Sequence, residues 1–239
     1  MTLTTRLGLV WGLSFLSLAA FASPPEKTAM PEAAIDHVIV GIANLDEGIR
    51  LLTELTGVTP DRGGQHPGRG TQNALLSLGP RTYLELIAPV SGPPPGMELL
   101  SKLQQLTPIG WAVGTTDLDA TKGRLEAAGF EVTAPRDGSR VRPDSTVLRW
   151  RTAGLEDVPG ELTPFLIEWS AETAHPAATS PGGCTLESME IVGPRIEKLD
   201  QLVAALRLSA AVRSGSAPEL SLKLACPKGK ILLSSAKQP

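Results

Sequence analysis

Histidine is scarce in this chain of 239 residues: His37, His66 and His175 are the only three, so imidazole chemistry must choose among them. His66 stands in the stretch GGQHPGRGT, where Gly63, Gly64, Gly68 and Gly70 open backbone conformations closed to other residues. Such a loop can bring one side chain up to a ligand, and an imidazole that titrates near ~6.5 suits a general base. The same stretch also reads as a surface hairpin with an incidental histidine. Asn73 follows and either hydrogen-bonds a substrate or braces the loop. Glu85 in TYLELIAP and Glu168 in FLIEWS are carboxylates inside apolar runs, and His37 sits similarly in IDHVIV. A carboxylate buried without a partner is costly. A metal ion, an arginine or exposure at a sheet face would each relieve that cost. Arg136, Arg140, Arg142, Arg149 and Arg151 crowd one stretch beside Asp137 and Asp144. This reads either as an exposed, salt-bridged hairpin or as guanidinium groups holding a substrate carboxylate or phosphate. Arg149 and Arg151 alternate along a strand and so point the same way. His175, just before Pro176, reads as structural.

The elements that must position these residues repeat along the chain. IDHVIV (35–40) is a β-branched run, followed by Asn44 or Asp46 as a helix cap and by EGIRLLTELTG, with Ile49, Leu52 and Leu55 at helical spacing and Gly57 as the stop. IGWAVG (109–114), Asp117 and ATKGRLEAAGF repeat that order, with Gly129 as the stop. After the first helix come TQNALLSLG (71–79) and TYLELIAPV (82–90); after the second, STVLRWRTAG (145–154) and TPFLIEWS (163–170). The fold expected is α+β: paired βαβββ units, 35–90 and 109–170, forming a curled mixed-sheet cleft within a domain spanning 35–176. A third C-terminal half-unit, βαββ over 184–236, contains LESMEIVGP, IEKLDQLVAALRL, LSLKLACP and KILLSS. It either completes a sheet within one chain or joins two chains as a homodimer.

Composition narrows the function. With 22 Lys+Arg against 25 Asp+Glu, the formal net charge is −3, which offers no broad basic face to nucleic acid. The hydrophobic fraction of 41% is too high for a disordered chain. Walker, HExxH and GxSxG motifs are absent, as is a GxGxxG between strand and helix, which removes support for nucleotide-dependent chemistry and serine hydrolysis. Residues 1–22 carry Arg6, then an uncharged run ending in Ala20-Phe21-Ala22, the pattern of a secretory signal peptide cleaved before Ser23. An uncleaved membrane anchor is the alternative. Residues 23–34 read as a proline-rich linker. A periplasmic or secreted location would let Cys184 and Cys226 pair; otherwise they are buried free thiols.

The stretches IDHVIVGIANLDEGIRLL, GGQHPGRGTQNALLSLGPRTYLELIAP, IGWAVGTTDLDATKGRLEAAGFEV, RVRPDSTVLRWR and FLIEWS together resemble the vicinal oxygen chelate superfamily, and within it the glyoxalase-like domain proteins. The resemblance implies a metal site built from the first and last strands of each unit. Carried over, those strands hold His37, Glu85, the neighbourhood of Trp111, and Glu168. One imidazole and two carboxylates suit a divalent ion such as zinc, iron, manganese, nickel or magnesium. Trp111 takes the fourth position, cannot bind a metal, and falls to substrate contact with Asn73 and Arg142; His66 becomes the fourth ligand or the base. The implied activity is that of a lyase or isomerase acting on a small oxygenated molecule. Its metal would polarise adjacent substrate oxygens and stabilise an enediolate-like intermediate, while Glu168 or His66 moves the proton. The alternative is a module of the same fold that sequesters a small molecule without turnover.

Overall fold

The computed structural model describes residues 33–160 and 162–236, with Met1 and Thr2. The expected signal peptide and most of the linker therefore lie outside the described residues. Ala33 and Ala34, read as linker, begin strand β1 (Ala33–Gly41). The first unit continues with α1 (Leu45–Thr56), β2 (Asp61–His66), β3 (Thr71–Gly79) and β4 (Thr82–Pro89). The second repeats it with β5 (Thr107–Thr115), α2 (Leu118–Ala127), β6 (Arg136–Val141), β7 (Val147–Ala153) and β8 (Phe165–Trp169).

Asn44 caps α1 by accepting from the Glu47 N–H at 3.0 Å, and Gly57 closes it in the left-handed conformation at φ 79°. Asp117 caps α2 in the same way, accepting from the Ala120 N–H at 2.9 Å. Strands β2 and β6, which read DRGGQH and RDGSRV, lack the apolar alternation that marks a half-buried strand, and only the tertiary pairing reveals them.

The two units share one eight-stranded mixed sheet in the order β2-β3-β4-β1-β5-β8-β7-β6. In each unit the last strand lies parallel to the first, and β1 joins β5 antiparallel, so the units meet at their opening strands. Alternation then sorts the side chains. Val38, Val40, Leu84, Leu86, Val113 and Leu166 pack in the core beneath the helices. His37, Ile39, Tyr83, Glu85, Phe165 and Ile167 face the opposite, concave side. Gly48 of α1 sits against Ile42 and Leu86, where a Cβ would meet the Ile42 side chain at 2.7 Å, so the helix lies close on the sheet.

The sheet curls until its outer strands approach one another. A Cβ on Gly64 of β2 would lie 2.6 Å from the Val141 carbonyl oxygen of β6. On neighbouring Gly63 it would collide with the ends of Asn73 and Arg140. Two adjacent glycines thus let the edges meet and let a β6 side chain reach into the first unit.

The C-terminal part contains β9 (Thr185–Gly193), α4 (Glu197–Ala205), β10 (Ala211–Ser214), β11 (Glu219–Cys226) and β12 (Gly229–Ser234), preceded by the short helix α3 (Pro176–Thr179). It forms a four-stranded sheet in the order β10-β9-β11-β12, in which β10, parallel to β9, adds a strand to the expected βαββ. This sheet forms within the chain and shares the main core through Met189, Ile191, Leu220 and Leu222. Cys184 and Cys226 form a disulfide that ties the start of β9 to the end of β11. No helix among the described residues is long and apolar enough to cross a membrane.

Candidate functional site

The curled sheet encloses a cleft of about 800 Å³ whose walls include His37, His66, Asn73, Glu85, Arg140 and Trp150. Its polar floor comes from the first unit. Glu85 of β4 is 8% exposed. One of its oxygens accepts from the Asn73 amide at 2.5 Å and lies 3.3 Å from His66 Nε2, while the other lies 3.7 Å from His37 Nε2. Burial alone would raise the Glu85 carboxyl. The hydrogen bond and charge of His66, the charge of His37 and the Asn73 amide outweigh that and bring it to about 2. His66 Nδ1 meets the Thr71 hydroxyl at 2.9 Å, which braces the ring from its other side.

His37 is held from behind by Asp36. The β1–β5 register shifts between Ile35 and His37, leaving Asp36 as the bulged residue. The bulge brings the Asp36 carboxylate within 2.7 Å of His37 Nδ1. Its other oxygen accepts from Trp169 Nε1 at 3.1 Å and contacts His175 Nε2 at 2.9 Å. His175 Nδ1 accepts from the Ala177 N–H at 3.2 Å, which leaves Nε2 as the nitrogen that donates to Asp36. Burial pushes the Asp36 carboxyl up, but the hydrogen bonds from His175 and His37 and their charges hold it below its ordinary value. When His37 is neutral, an ionised Asp36 favours its ring proton on Nδ1, which leaves Nε2 as the nitrogen on the cleft side. Tyr83 stacks on the His37 ring at 4.7 Å, and burial, followed by the charges of Asp36 and Glu85, keeps its phenol protonated.

The second unit contributes a different wall. Phe165, Ile167 and Trp169 of β8 face the cleft, beside Trp150 of β7. Gly138 of β6 makes room for Trp150, since a Cβ there would overlap the indole. Arg140, also on β6, reaches the cleft although it is only 3% exposed.

His37, Glu85, His66 and Asn73 thus meet at one cleft wall. Three other residues do not join them. Glu168, expected as metal ligand and proton carrier, alternates to the opposite face of β8. There it accepts from Arg151 at 2.7 and 2.6 Å, and the Leu118 N–H lies 3.4 Å away. Trp111 pairs with Val38 on the core side, is 1% exposed, and donates its indole N–H to the Leu162 carbonyl at 2.8 Å, so it cannot touch a substrate in the cleft. Arg142 lies past the end of β6, where it donates to the Thr179 hydroxyl at 2.8 Å outside the cleft wall. Asp36 is a site residue that the sequence reading does not identify, although a charged residue in a β-branched run is its signal. His175, read as structural, does brace Asp36.

These placements decide how well a metal fits. Of the four strands implied as its support, β1 and β4 present His37 and Glu85. Across the cleft β5 and β8 present Ile109, Phe165 and Ile167, which have no donor atoms. Among the described residues no three His, Cys, Asp or Glu side chains are grouped to hold an ion. Glu168, on the opposite face, cannot share an ion with His37 and Glu85, so the expected set does not assemble, while His37, His66 and Glu85 remain together at the cleft floor.

Paired βαβββ units sharing a curled sheet, with a cleft floored by imidazole and carboxylate, define the class as the vicinal oxygen chelate fold. The family model for the glyoxalase-like domain matches residues 35–207, and the chain belongs to that family. Among solved structures, a hypothetical protein from Staphylococcus aureus shares the fold with a TM-score of 0.61 at 14% identity, over 78% of this chain and 88% of that one. Methylmalonyl-CoA epimerase from Streptomyces coelicolor, in complex with 2-nitronate-propionyl-CoA, matches at 21% identity and a TM-score of 0.44, over 59% of this chain and 96% of that one. The Mycobacterium tuberculosis epimerase matches at 21% identity and a TM-score of 0.44, over 58% and 89%. No curated protein matches the chain in sequence.

Proposed function

We propose that this glyoxalase-like protein is an exported enzyme that moves a proton on a small oxygenated molecule, in a lyase- or isomerase-type reaction. The observation that carries the reading is the line Asp36–His37–Glu85 at the cleft floor, with contacts of 2.7 and 3.7 Å. His37 Nε2 is the base that takes a proton from a carbon next to a carbonyl. Asp36 stabilises the imidazolium that forms, as an orienting carboxylate does in triad-type sites. His66, on the other oxygen of Glu85, returns a proton. Asn73 holds Glu85 in place, and the Phe165, Ile167 and Trp150 wall keeps water from the reacting carbon. The disulfide between Cys184 and Cys226 supports an oxidising compartment and hence export.

The test is deuterium incorporation from D₂O into a panel of small carbonyl compounds, followed by mass spectrometry. The parent protein should catalyse exchange, and His37→Gln should lower the rate by ~10²–10⁴-fold while binding persists. If panel compounds bind the parent without exchange, the protein is a sequestering module, a role that the apolar wall of the second unit would serve equally well. Export is checked by the mass of the protein from its native host, expected to begin at Ser23.

A further inference from the structure

Arg140 is a buried cation with an unmet donor. Its Nη1 is buried and has no hydrogen-bond partner among the described residues. Asn73 Oδ1 is likewise unpartnered, and the two atoms crowd Gly63, at 2.3 and 2.4 Å from where a Cβ would stand. Burying a guanidinium with an unmet donor is costly, and native proteins rarely leave such a group without a partner. Glu85 acts on Arg140 through space but is itself engaged by Asn73 and His66. The corner opens onto the cleft, whose opposite wall carries Trp150, Trp169, Phe165 and Ile167.

We propose that the cleft takes a small carboxylic acid whose carboxylate accepts a hydrogen bond from Arg140 Nη1 and whose apolar body lies against Trp150, Trp169 and Phe165. A carboxylate is the acceptor that a buried guanidinium pairs with most strongly, and an aromatic or alkyl body matches the wall. This deepens the acid–base reading and rests on it for one point: an acid anchored at Arg140, beside Asn73, sets the carbons next to its carboxylate toward Glu85 and His37. Arg140 is thereby a substrate-binding residue, in the place expected for Arg142.

Binding is measured by calorimetry and tryptophan fluorescence on the full chain. The probes are phenylacetate and octanoate, each beside its neutral amide, with phenyl phosphate as a second type of anion. The acids should bind roughly 10- to 100-fold more tightly than the amides. Arg140→Gln should abolish that preference, and Arg149→Gln, on an exposed strand position, should keep it. If Arg140→Gln does not fold, the acid–amide comparison on the parent and the affinity of Arg140→Lys decide. Equal binding of acid and amide, a preference that survives Arg140→Gln, no measurable binding of either acid, or selective binding of phenyl phosphate overturns the proposal. Acid-selective binding without proton exchange overturns only the enzymatic reading; exchange on neutral carbonyl compounds without acid selectivity overturns only this one.

Discussion

Asp36 and His37 are consecutive in one strand, yet the Asp36 carboxylate lies 2.7 Å from His37 Nδ1. Regular alternation would send the two side chains to opposite faces; the bulge at Asp36 brings the carboxylate round to its neighbour's ring. Asp36→Asn tests what that contact does. An amide can donate to Nδ1 as well as accept from it, so the proton is free to move to Nε2 and occupy the lone pair that must act as base. Proton exchange should fall by roughly 10²-fold or more, with circular dichroism of the variant unchanged.

Glu85 sets the acid limb of stability. Its carboxyl is lowered from 4.5 to about 2 in the folded protein. Between those values the unfolded chain takes up a proton that folded Glu85 refuses, so stability falls as the pH falls. The contribution, on the order of 3 kcal/mol, is fully present above about pH 5 and lost as the pH approaches 2. Asp36 is shifted in the same direction. Thermal melts of the parent and Glu85→Gln across this range should converge at the acid end.

Glu168 provides the contrast between the two carboxylates singled out in apolar strands. Its ion pair with Arg151 is partly exposed, with side-chain exposures of 19% and 35%, and is screened by solvent. Glu168→Gln should therefore cost at most about 1 kcal/mol and leave proton exchange at the parent rate. Denaturant melts and the D₂O assay, run beside Glu85→Gln, check both.

The disulfide between Cys184 and Cys226 closes a long loop, with a sequence separation of 42. Loop-closure entropy puts its contribution near about 4 kcal/mol. The Cys184→Ala, Cys226→Ala double variant should melt well below the parent, and adding reductant should lower the melting point of the parent alone.

The sequence by itself determined the repeat, the α+β class, a capping side chain before each of the first two helices, and His37 and Glu85 as polar residues inside apolar strands. Those features rest on local patterning: helical spacing, a capping side chain, or a polar residue in a strand that is apolar on one face. Tertiary structure decided the rest, because long-range geometry did. FLIEWS sets Phe165, Ile167 and Trp169 on one face and Leu166 with Glu168 on the other, but only the packing of β8 shows which face lines the cleft. The bulge at Asp36 depends on the pairing of β1 with β5 across the two units. Whether Arg140 or Arg142 enters the cleft depends on where β6 ends and on the approach of β6 to Gly63 and Gly64 of β2. Strands β2 and β6 complete the expected βαβββ units and β10 adds to the C-terminal sheet, but their own few residues lack the apolar alternation that would mark their bounds.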